Sequence, residues 1–281
     1  MAVTTHTKPV QHALVVEGGA MRGIFATGVL DGFIDRHYRP FDFCMGVSVG
    51  STNLAAWLAG QRGRNYRVIT DYSCRPQFMS FARFLTGGHW LDLDWLWDIT
   101  IKEIRLDLDA FSRQAIPLYV AVTRVTTGEA VYVKAVGENL EQLLKASCAL
   151  PIVYRDFPVL DDEPLADGGV ADSIPVGKAY EMGAKTITVI LSHPRGYRKT
   201  PPRLPWLIRR FLSKTPRLAH TMLRRWECYN RAIDFIENPP PDCRMQVIAP
   251  PDNFAVGRMT RDRARLDAGY EMGLAAAGVI G

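Results

Sequence analysis

The N-terminal part of the sequence shows the same pattern twice, a short apolar run, then a glycine-rich turn, then apolar residues at helical spacing. The first copy runs from 13–17 (ALVVE) into 22–36, and the second from 41–46 (FDFCMG) into 51–59. Successive strand–turn–helix units are typical of a parallel sheet whose faces are covered by helices. We therefore predict an α/β fold, a three-layer α/β/α sandwich with a mainly parallel central sheet.

The same kind of pattern continues toward the C-terminus. Residues 117–125 and 130–133 predict a hairpin, 186–191 (TITVIL) a fully buried strand, 245–248 a last strand and 261–277 a closing helix. Between these units, 70–117 is irregular and rich in phenylalanine and tryptophan. We interpret that aromatic region as a lid or as the wall of an apolar pocket.

The chain of 281 residues is long enough for one large domain. We predict a flexible tail over 1–12 and a single domain over 13–281. Within the domain, 13–191 holds the motif-bearing core, and 201–281 is a basic, amphipathic and helical C-terminal region.

Composition excludes several classes of protein. The first dozen residues lack the charged and apolar parts of a secretory signal, and no stretch reaches the roughly 20 apolar residues of a membrane-spanning helix. Five scattered cysteines form no CxxC or CxxH pair, so we expect neither zinc nor a disulfide framework. We expect no cofactor and no metal, and a cytoplasmic location for these reduced thiols.

The strongest local motif is the pentapeptide Gly46, Val47, Ser48, Val49 and Gly50, which matches G-x-S-x-G. It lies between a predicted strand and a predicted helix, where a sharp turn exposes the serine hydroxyl and the helix N-terminus points at the reacting centre. These features predict a nucleophilic serine at position 48. The alternative is a glycine-rich turn with a serine that takes no part in chemistry.

A second glycine-rich loop directly follows the first predicted strand. It consists of Gly18, Gly19, Ala20, Met21, Arg22 and Gly23. Backbone N–H groups in such a loop can converge on an oxyanion, and each donor contributes about 3 kcal/mol to acyl transfer. A dinucleotide fingerprint would need glycine at position 20, and a P-loop would need a final Gly-Lys-Ser/Thr. Arg22 either orients this oxyanion loop, attracts an anionic head group or pairs with a surface carboxylate.

A nucleophilic serine needs a base, and Asp167 is the preferred candidate. It ends a predicted strand and is followed by Gly168 and Gly169, which allow a close approach of another segment. In a desolvated pocket its carboxylate can accept the serine proton. The rival is a triad with His193 or, less favoured, His220. We expect His193 to be an exposed loop residue.

Four motifs occur in a fixed order, namely the oxyanion loop, the serine turn, 146–151 (ASCALP) and the aspartate with two glycines. In this order they resemble the bacterial branch of the patatin-like phospholipases over 13–191. The resemblance implies an α/β/α sandwich, a Ser48–Asp167 dyad, an oxyanion hole in the first loop, and hydrolysis of lipid acyl esters without a metal. The family usually has glycine where this chain has Ala20, whose Cβ restricts positive φ.

The segment 203–231 is basic and amphipathic, and its prolines predict several short pieces. One interpretation is a peripheral contact with an anionic membrane, and the other is packed helices with solvated arginines. No recognised nucleic-acid-binding module accompanies the charge, so we expect no nucleic acid partner.

Three functions fit these features. The first is a serine hydrolase that cleaves carboxylic esters of phospholipids or other acyl lipids. The second is a thioesterase or transacylase, because an acyl-serine intermediate can pass to different acceptors. The third is a lipid-binding protein without turnover, which the intact serine, aspartate and glycine loop argue against.

Overall fold

The computed structural model of the protein describes residues 12–279, so most of the predicted tail over 1–12 lies outside the described residues. Within that range eight strands form one sheet, in the order β5-β6-β3-β2-β1-β7-β8 with β4 paired to β3. The strands are β1 (His12–Val16), β2 (Phe43–Val47), β3 (Leu118–Arg124), β4 (Ala130–Lys134), β5 (Val159–Leu160), β6 (Glu163–Asp167), β7 (Thr186–Ile190) and β8 (Arg244–Ile248).

The central part of this sheet is parallel, as predicted. Strands β3, β2, β1, β7 and β8 pair in parallel, whereas β4 and β6 run antiparallel to β3, and β5 runs antiparallel to β6. The predicted hairpin is confirmed as β3 and β4, and the buried strand at 186–191 is confirmed as β7.

Helices cover both faces of the sheet. They are α1 (Gly23–Asp35), α2 (Val49–Leu58), α3 (Arg64–Arg67), α4 (Phe81–Leu85), α5 (Leu93–Glu103), α6 (Leu108–Arg113), α7 (Leu140–Cys148), α8 (Val176–Glu181), α9 (Pro205–Phe211), α10 (Pro216–Glu237) and α11 (Arg263–Ala276). A π-helical turn at Val68–Tyr72 follows α3, and short 3-10 turns lie at Ala20–Arg22, Gly168–Val170 and Ala277–Val279.

The alternation of side chains along β1 shows how the three layers are held together. Leu14 and Val16 pack on one face with buried residues of α1, α2 and α7. Ala13 and Val15 point to the opposite face, where buried residues of α8 and α10 cover them. Successive residues of a strand point to opposite faces, so one apolar strand fills two cores. The predicted α/β/α sandwich is confirmed.

The register of the strands brings the predicted motifs to one edge of the sheet. Val16 at the end of β1 pairs with Gly46 near the end of β2, and β2 continues in register with β3. Asp167 at the end of β6 pairs with Val122 of β3. The loops that follow β1, β2 and β6 therefore meet at the same end of the sheet, where α/β proteins bind ligands.

The segment 203–231 differs from the expected series of short pieces. Pro205 and Pro216 occupy the first turns of α9 and α10, where a missing N–H breaks no helical hydrogen bond, and α10 extends over 22 residues. The prolines thus begin the helices. No helix within residues 12–279 combines the length and the apolar character needed to cross a membrane.

Candidate active site

Ser48 stands between β2 and α2 with a strained backbone, at φ 53° and ψ −129°. A non-glycine residue in such a region costs roughly 1–3 kcal/mol and persists only where its surroundings enforce it. Gly50 supplies part of that enforcement, since a Cβ there would lie 2.5 Å from the carbonyl oxygen of Val16. The predicted nucleophile elbow of Gly46, Val47, Ser48, Val49 and Gly50 therefore has the geometry that exposes a serine hydroxyl.

A second serine fixes the elbow from the neighbouring helix. The N–H of Ser48 donates to Ser147 Oγ at 2.8 Å, and the Ser147 hydroxyl donates to the carbonyl oxygen of Ala121 at 2.7 Å. Ser147 is fully buried, so these bonds are shielded from water. The motif at 146–151 was identified from its resemblance alone, and the structure provides the physical reason for its serine.

Asp167 lies next to Ser48. Its carboxylate accepts the N–H of Gly169 at 2.7 Å. Burial raises the pKa of Asp167 above its ordinary value, while the charge of Arg225, the bond from Gly169 and the nearby Ser48 side chain act in the opposite direction. A buried carboxylate with a raised pKa next to a serine is suited to accept its proton.

The glycine-rich loop lies against the nucleophile. A Cβ on Gly18 would approach Ser48 Cβ to 3.1 Å, so only glycine allows this contact. The N–H of Met21 donates to the carbonyl oxygen of Arg258, and the N–H of Arg22 donates to that of Gly19. Within residues 12–279, no such bond uses the N–H groups of Gly18 or Gly19. The N–H of Ala20 is likewise used by no recorded bond among the described residues, so Gly18, Gly19 and Ala20 supply the available donors of the loop.

Ala20 adopts φ 51°, the left-handed conformation that glycine adopts without steric cost. The restriction expected from its Cβ does not prevent this conformation. Ala20 also lines the cavity next to Ser48. The methyl group therefore takes up space in the cavity at the loop.

His193 is buried, with 8% of its surface exposed, so the prediction of an exposed loop residue is wrong. Its Nδ1 lies 3.4 Å from Glu17 Oε1, its Nε2 is hydrogen-bonded to Arg22, and its ring stacks on Tyr197. Burial lowers its pKa, so the neutral ring accepts from Arg22 through Nε2, while Nδ1 lies within hydrogen-bond distance of the Ser192 hydroxyl at 3.2 Å. No contact recorded for the described part of the chain joins His193 to Ser48 or Asp167.

An apolar cavity of ≈ 140 Å³ opens at Ser48. The aromatic region at 70–117 forms much of the cavity wall. Of the two roles predicted for it, a lid or a pocket wall, this is the second. The apolar side chains that line the cavity are Met21, Val49, Val68, Ile69, Phe78, Met79, Leu91, Leu93, Leu96, Trp97, Ile101, Leu106 and Leu144. Such a wall suits a hydrocarbon chain.

Three cationic side chains lie on another side of the dyad, and the sequence motifs do not predict them. Lys199, Arg225 and Arg258 line one pocket together. A Cβ on Gly169, two residues after Asp167, would lie 3.3 Å from Arg225 Nη2. Arg258 also lines the apolar cavity at Ser48. This cationic cluster therefore adjoins both residues of the dyad.

A signal for Arg225 existed in the sequence. Tyr229 and Ile233, four and eight residues further along α10, are both buried. Residues four apart share one face of a helix, so helical spacing places Arg225 on the inward face. Lys199 and Arg258 lie in loops, where no such periodicity exists.

One group of side chains has spacing compatible with a metal ion. His89, Asp94 and Asp156 offer ligand atoms that all lie within 4.8 Å of one another. The ammonium group of Lys145 already binds Asp94 Oδ1 at 2.5 Å, and the Tyr154 hydroxyl donates to the same carboxylate. These contacts already offset the negative charge of the Asp94 carboxylate.

The fold and the order of the motifs place the chain among α/β/α proteins that carry a serine on a strand-to-helix turn. Residues 14–180 match the patatin-like phospholipase family, a family of lipid acyl hydrolases. The chain belongs to the patatin-like phospholipase family. Residues 215–278 match a domain of unknown function, DUF6363.

A curated protein and a solved structure are similar to this chain. An uncharacterized protein of Escherichia coli strain K12, YjjU, is 35% identical over 251 residues, which cover 87% of this chain and 70% of that protein. The crystal structure of VipD from Legionella pneumophila aligns over 97% of this chain and 67% of that one, at 13% identity and a TM-score of 0.44.

Proposed function

We propose that the protein is a serine hydrolase that cleaves carboxylic ester bonds of acyl lipids through a Ser48–Asp167 dyad. The observation that carries the proposal is the buried Asp167 carboxylate next to the Ser48 side chain, at a strained elbow beside an apolar cavity. Membership of the patatin-like phospholipase family supports the same reaction.

The reaction proceeds in two balanced steps. Ser48 Oγ attacks the ester carbonyl carbon while its proton moves to Asp167, and the free N–H groups of Gly18 and Gly19 stabilise the oxyanion. The C–O bond to the alcohol breaks, the alcohol takes the proton, and the acyl group remains on Ser48. Water then attacks this ester, gives a proton to Asp167 and releases the fatty acid as Ser48 Oγ recovers the proton.

The test measures hydrolysis of acyl esters by the wild type and by Ser48→Ala and Asp167→Asn. Loss of a general base typically lowers turnover by about 10²–10⁴-fold, and loss of the nucleophile lowers it at least as much. Ser213→Ala and Asp242→Asn change the same residue types at exposed positions and should retain full activity. Undiminished hydrolysis by Ser48→Ala would contradict the proposal.

His193→Ala separates the dyad from a triad. His193 holds Arg22 and Glu17, so its loss should alter substrate affinity more than turnover. A fall in kcat as large as that of Asp167→Asn, in a folded protein, would assign the role of base to His193.

We also propose that the protein is cytoplasmic and contacts anionic membranes peripherally through 203–231. Trp206 and Phe211 of α9 are 60% and 46% exposed, and Arg209 and Arg210 beside them are exposed as well. Exposed aromatic rings flanked by arginines are typical of helices that lie at a membrane surface. Arg225 does not share this exposure, so the segment divides into an outward part and an inward part.

Vesicle binding tests this contact. Each basic residue near an anionic surface contributes about 1 kcal/mol, so Arg209→Gln with Arg210→Gln should weaken binding to phosphatidylglycerol vesicles by about 10- to 30-fold. Arg244→Gln, an exposed arginine on β8, is the matched control. Unchanged binding of the double variant would favour solvated helices.

A further inference from the structure

The cationic cluster of Lys199, Arg225 and Arg258 has more positive charge than the protein around it compensates. Arg22 adds a fourth cation that acts electrostatically on Lys199 and Arg225. The carboxylates that face this group are Glu17 and Asp167. With Lys199 protonated, four cations face two carboxylates, which leaves room for an anion that carries one or two charges.

The arginines of the cluster also lack hydrogen-bond acceptors. Arg225 Nε is buried and has no hydrogen-bond partner. Across residues 12–279, no recorded hydrogen bond or ion pair involves the guanidinium group of Arg225 or Arg258. The buried Nε of Arg225 has lost its hydration with no acceptor to replace it, which is costly. Such a group is better explained by a ligand than by stability.

Lys199 is held next to these arginines by weak contacts. Its ammonium group lies 3.7 Å from the centre of the Tyr229 ring and 3.4 Å from Ser173 Oγ. Burial and the charge of Arg225 lower the pKa of Lys199 to about 6. An anion in the pocket would act together with Glu17 to favour the charged form of Lys199, against the effect of burial and of the neighbouring arginines.

We infer that Lys199, Arg225 and Arg258 form a subsite for the phosphate group of the substrate, so that the substrate class is an acyl ester with an anionic, phosphorylated head group. This inference rests on the proposed function of Ser48. Arginine forks match the paired oxygens of a phosphate, and a lysine adds a point charge. Arg225 and Arg258 lie in 215–278, so the subsite gives that domain of unknown function a role.

The position of the subsite relates it to the ester. Arg258 lines both the pocket of the cationic cluster and the apolar cavity at Ser48. Its carbonyl oxygen accepts the N–H of Met21 in the oxyanion loop. A substrate bound with its carbonyl carbon at Ser48 can therefore extend its acyl chain into the cavity and its phosphate toward Arg225 and Arg258.

The experiment uses the full chain with Ser48→Ala, which binds substrate without turnover. Calorimetry compares lysophosphatidate, the monoacylglycerol with the same acyl chain, and inorganic phosphate. Lysophosphatidate should bind at least about 10-fold more tightly than the monoacylglycerol, since it adds charge-assisted hydrogen bonds. Adding Arg225→Gln or Arg258→Gln should weaken lysophosphatidate binding by about 10- to 100-fold.

Controls keep the outcome clear. Arg244→Gln removes an exposed arginine and should leave lysophosphatidate binding unchanged. If Arg225→Gln does not fold, Arg258→Gln and Lys199→Met decide the question, because both residues lie in loops and not on the inward face of α10. Folding is checked by circular dichroism.

Two results would overturn the inference. One is lysophosphatidate binding that the arginine substitutions leave unchanged. The other is binding of inorganic phosphate with no advantage of lysophosphatidate over the monoacylglycerol, which would assign the cluster to a free anion. Both results are measurements of binding alone, so they do not depend on whether Ser48 is the nucleophile.

Discussion

The two sides of Ser48 differ in the residues that build them and in their effect on stability. The apolar cavity is lined by side chains such as Leu93 and Leu96, whose burial stabilises the fold by about 1.5–3 kcal/mol each. The cationic cluster contains a buried guanidinium nitrogen without a partner, which reduces stability. Packing alone accounts for the first side, whereas the phosphate subsite that we infer accounts for the unpartnered nitrogen of the second side.

The two sides also come from different parts of the chain. The apolar cavity is mostly built from residues within the family match at 14–180, while the cationic cluster begins with Lys199 and continues into 215–278. In our account, the family region provides the reaction and the acyl site. The C-terminal region selects the head group in our account.

Reversing a charge in the cationic cluster should have the largest effect on this division. Arg258→Glu places a carboxylate where the phosphate binds, so repulsion is added to the lost attraction. The ratio of kcat/KM for lysophosphatidate to that for the matched monoacylglycerol should fall by about 10²–10³-fold. Steady-state kinetics on both substrates measure it. An unchanged ratio would mean that the cationic cluster does not select the head group, which would contradict the division between the two sides.

Filling the apolar cavity should have the converse effect. Leu96→Phe adds bulk to the wall, and each methylene it excludes costs about 0.8 kcal/mol. Cleavage of long-chain esters should fall by about 10- to 50-fold relative to butyryl esters, with the head-group preference retained. A series of chain lengths measures this effect. Equal losses at every length would indicate a damaged fold.

The pKa of Lys199 gives the cationic cluster a pH dependence. Because the pKa of Lys199 is lowered to about 6, it carries its charge below that pH and loses it above. Affinity for sulfate, whose charge is constant over this range, should fall several-fold as pH rises above about 6. Lys199→Met should abolish that slope. Titration calorimetry between pH 5 and 8 tests this, and an equal slope in the variant would exclude Lys199 as its source.

Asp167→Asn should give the smallest effect, a gain in stability that accompanies the loss of turnover. Since burial raises the pKa of Asp167, the folded protein holds this proton more tightly than the unfolded chain. Stability therefore decreases as pH rises from the unfolded pKa through the folded one, and the cost is complete above the folded pKa. The amide avoids it, so Tm should rise by roughly 1–3 °C at pH 7.

Calorimetry at two pH values checks this sign. At pH 3 the Asp167 carboxyl is largely protonated in both the folded and the unfolded protein. The difference in Tm between wild type and Asp167→Asn should therefore vanish. A lower Tm of the variant at pH 7 would contradict the cause assigned to the raised pKa.

Local patterns were sufficient to predict the elbow, the glycine loop and the hairpin. In each case the determining contacts are close in sequence, as with Gly46 to Gly50 around Ser48. The burial of His193 could not be predicted this way, because it depends on Glu17, Arg22 and Tyr197 meeting from distant segments. The same holds for Lys199 and Arg258, whose loop sequences carry no periodicity.

The helix boundaries in 203–231 could not be predicted from the sequence for a different reason. Prolines were interpreted as breaks, yet Pro216 begins a helix of 22 residues. A proline is tolerated in the first turn and disruptive further along, so its meaning depends on where the helix begins. The sequence alone did not fix that position.

Labelling of Ser48 tests the central claim most directly. A fluorophosphonate probe reacts with an activated serine and adds a fixed mass to the peptide that contains it. Mass spectrometry after proteolysis should locate the adduct on Ser48 in the wild type, with slow labelling in Asp167→Asn and none in Ser48→Ala. An adduct on another serine, or labelling that persists in Ser48→Ala, would contradict the account.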